Sequence, residues 1–171
     1  NFLAKGNPLA IFYDIMFLDK KEGEKELAES LKNLKVGFLD YPFETKEVDV
    51  AYNDINERLK LLDDVRFPVD PADKLEPRVA EVTPPTPDLI KASKGLGFAN
   101  VFPGRDGINR TVPLIIKYNG WYYPNIDLIV AMHYFGIKAT DVEIKYGSYI
   151  KLKNLPIEKM AKPDPRREII I

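Results

Sequence analysis

Residues 96–124 read LGFANVFPGRDGINRTVPLIIKYNGWYYP, and the two turn signals in this stretch decide how the fold is read. Asp106-Gly107 and Asn119-Gly120 each lie between apolar runs, and both dipeptides tolerate positive φ, which makes them strong short-range hairpin signals. The stretch is therefore expected to be an antiparallel meander. Phe98–Phe102 pairs with Ile108–Tyr118, which turns back through Asn119-Gly120 into Trp121–Tyr123.

Upstream of the meander, Thr86 and Pro87 form an N-cap and N1 pair for a short helix over Asp88–Lys94, with Gly95 as its C-terminal stop. Downstream, Asn125–Phe135 is apolar almost all round, so it is expected as a buried helix ended by Gly136 and too short to span a bilayer. Val142–Lys145 and Tyr149–Leu152, joined at Gly147-Ser148, read as a last hairpin.

The N-terminal part has a different pattern. Leu9–Phe17, LAIFYDIMF, is a nearly continuous apolar run broken by Asp14, as in a parallel strand buried on both faces. In Glu24–Leu34, Leu27, Leu31 and Leu34 fall on one face of a helix. Val36–Leu39 is a short strand, which completes a βαβ unit with a right-handed crossover. Ile55, Leu59 and Leu62 predict one helix within AYNDINERLKLLDD. Residues 67–87, FPVDPADKLEPRVAEVTPPTP, carry too much proline for regular helix or a central strand. They form either a long surface excursion or a wrap around the domain edge. The fold class expected is α/β: a single domain with a mixed sheet, parallel in its N-terminal part, antiparallel hairpins in the C-terminal half, and helices on both faces.

Composition narrows the function. The 171 residues suit one domain, and 45% hydrophobic residues supply a sizeable core. With 25 basic against 26 acidic residues, neither sign accumulates, so nothing points to nucleic acid or to an anionic membrane surface. The absence of cysteine excludes disulfides, zinc–thiolate sites and cysteine nucleophiles, and the single histidine excludes a His-rich metal site. No segment has the apolar length of a membrane span and no signal peptide is visible. The chain starts at Asn1 with what looks like the tail of a helix over Asn1–Lys5, stopped by Gly6-Asn7-Pro8, and stops inside the apolar run Ile169–Ile171. Both ends look cut, so an excised fragment of a longer chain is expected, and membrane segments would lie outside it.

No catalytic motif is present. Phosphate loops, a GxSxG elbow and HExxH are absent, and Ser30, Ser93 and Ser148 stand alone. His133 has no local partner, since Asp127 points to another helix face, and it reads as a core-edge histidine. Asp14, as a carboxylate in a buried strand, needs hydrogen bonds or a partner. It either anchors the following loop or contacts a ligand at the carboxyl end of the parallel strands, where α/β folds bind small molecules. Asp106-Gly107 matches a calcium loop poorly and fits turn geometry well. Arg110 pairs with Asp106 or Asp14, or meets a ligand carboxylate. Trp121-Tyr122-Tyr123 closes a pocket or interface, or caps the core.

Tyr13-Asp14-Ile15, Leu96-Gly97-Phe98-Ala99-Asn100, Asp106-Gly107, Arg110, Pro113-Leu114 and Tyr123-Pro124 occur in an order and spacing that resembles the second class of CHASE domains. These are the cyclase- and histidine-kinase-associated extracellular sensory domains of bacterial receptors. The likeness covers most of the chain apart from the middle. Gly104 stands where an aspartate is common in the family, Asn125 where serine is frequent, and the family's opening strand and Trp-Pro-rich segment are not seen.

The resemblance implies a non-enzymatic sensory domain over residues 1–171, placed outside the cytoplasmic membrane and joined to it through segments beyond this chain. Its output would be a nucleotide cyclase, a kinase or a diguanylate cyclase. The expected partners are an unidentified small-molecule or environmental signal and a second copy in a homodimer. Neither cofactor nor metal is expected, and the ligand-contacting positions expected are Asp14, Asp106, Arg110 and Tyr123. Two other readings stand beside this one, a ligand-independent dimerisation module and a small α/β enzyme that uses carboxylates.

Overall fold

The computed structural model describes residues 2–47, 52–74, 77, 79–159, 166 and 168–171. Residues 75, 76 and 78 of the proline-rich tract, Ala51 at the head of the AYNDINERLKLLDD segment, and Asn1 lie outside the described residues.

The chain opens with strand β1 (Ile11–Tyr13), helix α1 (Glu24–Leu34) and strand β2 (Gly37–Tyr41). Strand β3 (Phe43–Glu44), helix α2 (Ile55–Leu61), and strands β4 (Phe67–Pro68) and β5 (Glu81–Val82) follow. Then come helix α3 (Pro87–Ala92), strands β6 (Gly95–Phe98), β7 (Ile115–Tyr118) and β8 (Trp121–Pro124), and helix α4 (Ile126–Phe135). Strands β9 (Val142–Lys145), β10 (Tyr149–Leu152) and β11 (Ile169–Ile170) complete the order.

The predicted fold class is the observed one. Strands β1, β2 and β6 form a parallel sheet in that order, whereas β4-β8-β7, β3-β5 and β11-β10-β9 are antiparallel. A parallel bridge from Phe98 to Asn125 links β6 to the end of β8, so the parallel sheet and the β7–β8 hairpin adjoin.

Successive side chains of a strand point to opposite faces, and β2 shows what covers each. A Cβ on Gly37 would meet Leu31 and Leu34 of α1, whereas the Phe38 ring lies 5.2 Å from His133 of α4. Helices therefore cover both faces. All five residues of β2 are buried. Its side of the core continues into an aromatic star: the Phe43 ring meets Tyr41, Phe98, Tyr118 and Tyr123 edge-on at 5.6–5.8 Å, the offset geometry aromatic pairs favour. A second core gathers Phe67, Tyr122, Leu128, Met132, Leu152 and Leu155 between α4, the β7–β8 hairpin and the C-terminal hairpin.

Several sequence expectations hold to the residue. Helix α1 and the β9–β10 hairpin have the expected bounds, and Tyr118 pairs with Trp121 across Asn119-Gly120. Asn125 caps α4 by accepting from the Asp127 N–H at 2.8 Å, and Gly136 ends that helix with φ 69.

Others need correction. The run Leu9–Phe17 yields only the three residues of β1, and among the described residues β1 is an edge strand, with Leu9, Phe12, Ile15 and Met16 exposed. An apolar run shows that burial is wanted without showing what covers it. Phe98–Phe102 does not pair with Ile108–Tyr118. Phe98 ends β6, which lies beside β2, and Asp106-Gly107 closes a tight turn in which the Gly104 N–H donates to the Ile108 carbonyl at 3.1 Å.

Gly95 opens β6, and Ser93 caps α3. Thr86 and Pro87 take the expected N-cap and N1 places, yet the Thr86 hydroxyl makes no capping bond. Helix α4 is not buried all round, because Asp127 and Tyr134 face outward. Of the described part of the proline-rich tract, β4 adds to β8 at the edge of that sheet, whereas β5 pairs with β3 and residues 82–87 are buried.

Candidate functional site

Two places collect polar side chains that a folded chain would not bury without reason. The first is the carboxyl end of the parallel sheet. Parallel register sets Tyr13 against Leu39, so one step further Asp14 comes to lie beside Asp40. On the other side Asp40 pairs in register with Gly97. Gly97 is glycine for a steric reason: a Cβ there would lie 2.5 Å from Cα of Ile126, so its absence lets the first turn of α4 rest on the sheet. Asp40 is only 3% exposed, and its Oδ1 has no hydrogen-bond partner. Burial, and after it the Asp14 carboxylate, push the Asp40 carboxyl up to about 6. Asp14 itself is exposed.

The four ligand-contact positions expected from the sequence lie in three different settings. Asp106 and Arg110 are brought together, as a two-pronged pair of 3.0 and 2.7 Å on an exposed turn. The pairing holds Asp106 below and Arg110 above their ordinary pKa values, the mutual hydrogen bond being the largest cause for each. Asp14 lies with Asp40. Tyr123 is 4% exposed within the aromatic star. His133 is half-buried against Phe38, and burial, followed by Lys94 and Lys159, lowers its pKa, which favours the neutral ring.

The second place is a cavity of about 400 Å³ between the β7–β8 hairpin, the β9–β10 turn and the segment around Asp73. Val79, Phe102, Ile115, Ile144 and Tyr149 form much of its wall. Its polar pole is built by three side chains. Asp73 is 8% exposed and accepts the Tyr122 hydroxyl at 2.7 Å. Lys117 donates to the Asp73 carbonyl at 3.2 Å and stands 3.7 Å from its carboxylate. Burial, and next the bond to Asp73, raise the Tyr122 pKa, so the phenol stays protonated. An apolar cavity with a few convergent polar groups is the usual form of a small-molecule site, and such sites run from about 300 to 1,000 Å³.

Sequence reasoning singled out Tyr122, within Trp121-Tyr122-Tyr123, as closing a pocket or capping the core, and missed the other two members of this pole. Asp73 and Lys117 are separated by 44 residues, and no local pattern joins them. It also missed Asp40, although a lone carboxylate inside GFLDY, between buried apolar residues, was a readable signal. Asn100 was singled out only as part of a motif, and its role is structural. Its side-chain amide accepts from the Phe43 N–H and donates to the Phe43 carbonyl, both at 2.8 Å, and so takes the place of a neighbouring strand.

No helix among the described residues is long and apolar enough to cross a membrane. Comparison with known proteins finds no match among curated proteins and none among solved structures. The CHASE2 domain model, however, matches residues 1–169. The chain belongs to the CHASE2 domain family, a family of sensory domains of signalling receptors.

Proposed function

We propose that this chain is the extracytoplasmic signal-input domain of a bacterial transmembrane receptor with a nucleotide cyclase or histidine kinase output. Its input is a small molecule held in the cavity between the two C-terminal hairpins, and it signals as a homodimer. The observation that carries the reading is that cavity, about 400 Å³ with one polar pole, in a member of a sensory family. A ligand acts as a signal only if it binds two states of the protein differently. A molecule lying against β7, β8 and the β9–β10 turn would favour one arrangement of the hairpins over another.

A dimerisation module that needs no ligand is the second reading. It is favoured by the outer side of β1, which no strand among the described residues pairs, and around which Leu9, Phe12, Ile15 and Met16 are 40–71% exposed. Unpaired edges with exposed apolar residues invite pairing with another chain.

A thermal-shift screen of the chain against small metabolites, ions and peptides separates the readings, run with Ile144→Trp to obstruct the cavity and with Asp14→Ala and Arg110→Ala. A shift lost only in Ile144→Trp supports the cavity. A shift lost in Asp14→Ala moves the site to the carboxyl end of the parallel sheet, and one lost in Arg110→Ala moves it to the Asp106–Arg110 turn. No shift, with stability that rises with protein concentration, supports dimerisation alone. Turnover that depended on Asp14 would overturn the non-enzymatic reading.

A further inference from the structure

Asp40 is the one charged residue of β2, and the cavity between the hairpins makes no use of it. Two residues separate it from Phe38, so both side chains lie on the face of the sheet that α4 covers. The residue is 3% exposed, and its Oδ1 is buried without a hydrogen-bond partner. A carboxylate held dry without a donor is costly unless a cation or a proton offsets its charge.

The surroundings supply no cation. On one side β1 brings a second carboxylate, Asp14. On the other side β6 sets Gly97 opposite Asp40, and a glycine brings no side chain. Across the face, α4 contributes His133 against Phe38, and burial, then Lys94 and Lys159, favour its neutral ring. At the head of α4 the Asn125 oxygen accepts the Asp127 N–H, and the Asp127 side chain is exposed. Burial acts on the Asp40 carboxyl most strongly, then Asp14, then its own backbone N–H, and no lysine, arginine or histidine is among these influences. Among the described residues no group of three or more histidine, cysteine or acidic side chains could hold a metal ion. The unpartnered oxygen is itself buried, so a proton fits there where a hydrated cation does not.

Carboxylates directly opposite one another on neighbouring strands repel. Tyr13 and Leu39 are the last paired positions of β1 and β2, and the two carboxyl groups follow immediately. With Asp40 protonated, one charge remains there, on the exposed Asp14. With Asp40 ionised, two stand side by side.

We propose that Asp40 and Asp14 form a proton-sensing pair: proton uptake by Asp40 keeps the end of β1 docked beside β2, and proton loss sets two carboxylates against each other and loosens that end. The proton comes from bulk water and returns to it past Asp14. The pair gives this member of a sensory family a second input, separate from the cavity and independent of what the cavity holds. The Asp40 carboxyl, pushed up to about 6, places the change in mildly acid surroundings. β1 is fastened below that pH and loosened as pH rises through it.

The test uses the 171-residue chain with Asp14→Asn, Asp40→Asn and Ile144→Trp as variants. Carboxyl and imidazole signals are followed by NMR from about pH 4.5 to 7.5, a range that brackets the raised carboxyl. Amide protection factors of Tyr13 and Asp40, corrected for intrinsic exchange, are measured over the same range. In the parent, Asp40 is expected to titrate near 6, and both protection factors should fall about tenfold with the same midpoint. Both changes should move to lower pH in Asp14→Asn, which keeps the side-chain shape and removes the charge. The fall in protection should be absent in Asp40→Asn and unchanged in Ile144→Trp.

An Asp40 step in the ordinary carboxylate range overturns the proton site. A step near 6 with constant protection overturns the switch, and a step that does not move in Asp14→Asn removes Asp14 from it. A fall in protection that follows the His133 signals, or that persists in Asp40→Asn, assigns the effect to another group and overturns the pair. Loss of the step in Ile144→Trp would tie it to the cavity and overturn its independence. Each of these failures leaves the cavity to be judged by the ligand screen alone.

Discussion

At the residue scale, Asp40 and Asn100 are two polar side chains in different circumstances, Asp40 buried with one oxygen unpaired and Asn100 half-buried with its amide bonded to the Phe43 backbone. For Asp40 the folded-state pKa is about 6 against an ordinary 3.8, so the folded state binds its proton more tightly than the unfolded state does. The stabilisation is complete below the unfolded value. It is lost as pH rises through 3.8 towards about 6 and stays lost above that. A shift of this size corresponds to about 3 kcal/mol at most. Asp40→Asn should therefore be more stable than the parent chain at neutral pH, with an advantage that shrinks as pH falls from 6 to 4. Urea unfolding of both proteins across that range reads the difference, and a difference that does not change with pH would count against the assignment. Asn100→Ala leaves the N–H and C=O of the 2%-exposed Phe43 without their side-chain partner. It should cost about 1–3 kcal/mol for each group that stays dry. Asn100→Asp, which keeps an acceptor and loses the donor, should recover only part of that in the same assay.

At the scale of elements, the packing of α4 on the parallel sheet depends on two positions. Gly97 permits the approach and Asn125 fixes the angle of entry. Gly97→Ala places a methyl group 2.5 Å from the backbone of Ile126, which neither element relieves without moving. The expected cost is about 3 kcal/mol or more, the upper end for an overpacked site. A melting temperature within a few degrees of the parent would show that α4 is free to lift. Asn125→Ala removes the oxygen that accepts from the Asp127 N–H and should cost about 1 kcal/mol. Asn125→Ser should restore most of it, because a serine oxygen caps in the same way. These substitutions also report on the candidate sites, since Asp40 pairs in register with Gly97 while Tyr122 belongs to the strand that leads into α4.

At the scale of the whole molecule, Arg58 ties distant parts together. It is 3% exposed and bonds Asp54 at 2.7 Å, the Leu18 carbonyl at 2.7 Å and the Pro84 carbonyl at 3.0 Å, with its guanidinium 4.5 Å from the Tyr52 ring centre. Helix α2, the loop after β1 and the end of the proline-rich tract therefore meet on one side chain. Arg58→Ala should destabilise the chain by about 3–5 kcal/mol, because it leaves buried acceptors unpaired. Arg58→Lys should rescue little, since a lysine ammonium does not reproduce the planar fork of donors. Guanidinium unfolding of the three proteins tests this, and full rescue by lysine would show that charge alone matters there. The exposed apolar edge of β1 gives a further prediction at this scale. Phe12→Asp should abolish any concentration dependence of the melting temperature and leave the dilute-solution value near the parent's.

Sequence by itself determined the elements whose cause is local. Leucines at helical spacing set α1, and Asn119-Gly120 set the β7–β8 turn. Gly147-Ser148 set the last hairpin, and Asn125 with Gly136 bounded α4. It also carried the family, which the CHASE2 domain model matches over residues 1–169. Asp14 was legible as a carboxylate at a strand end, and Asp106 with Arg110 as a turn and its nearest cation. Tertiary structure alone decided the rest. The Asp-Gly turn reverses the chain without pairing its flanks, because β6 is drawn into the sheet beside β2, where its pairing and its glycines let α4 settle on it. β1 became an edge because no further strand is paired to its other side among the described residues. The cavity and its pole join Asp73 to Lys117 and Tyr122 across 44 and 49 residues. Contacts at such separations follow from how whole elements pack, and no periodicity along the chain encodes them.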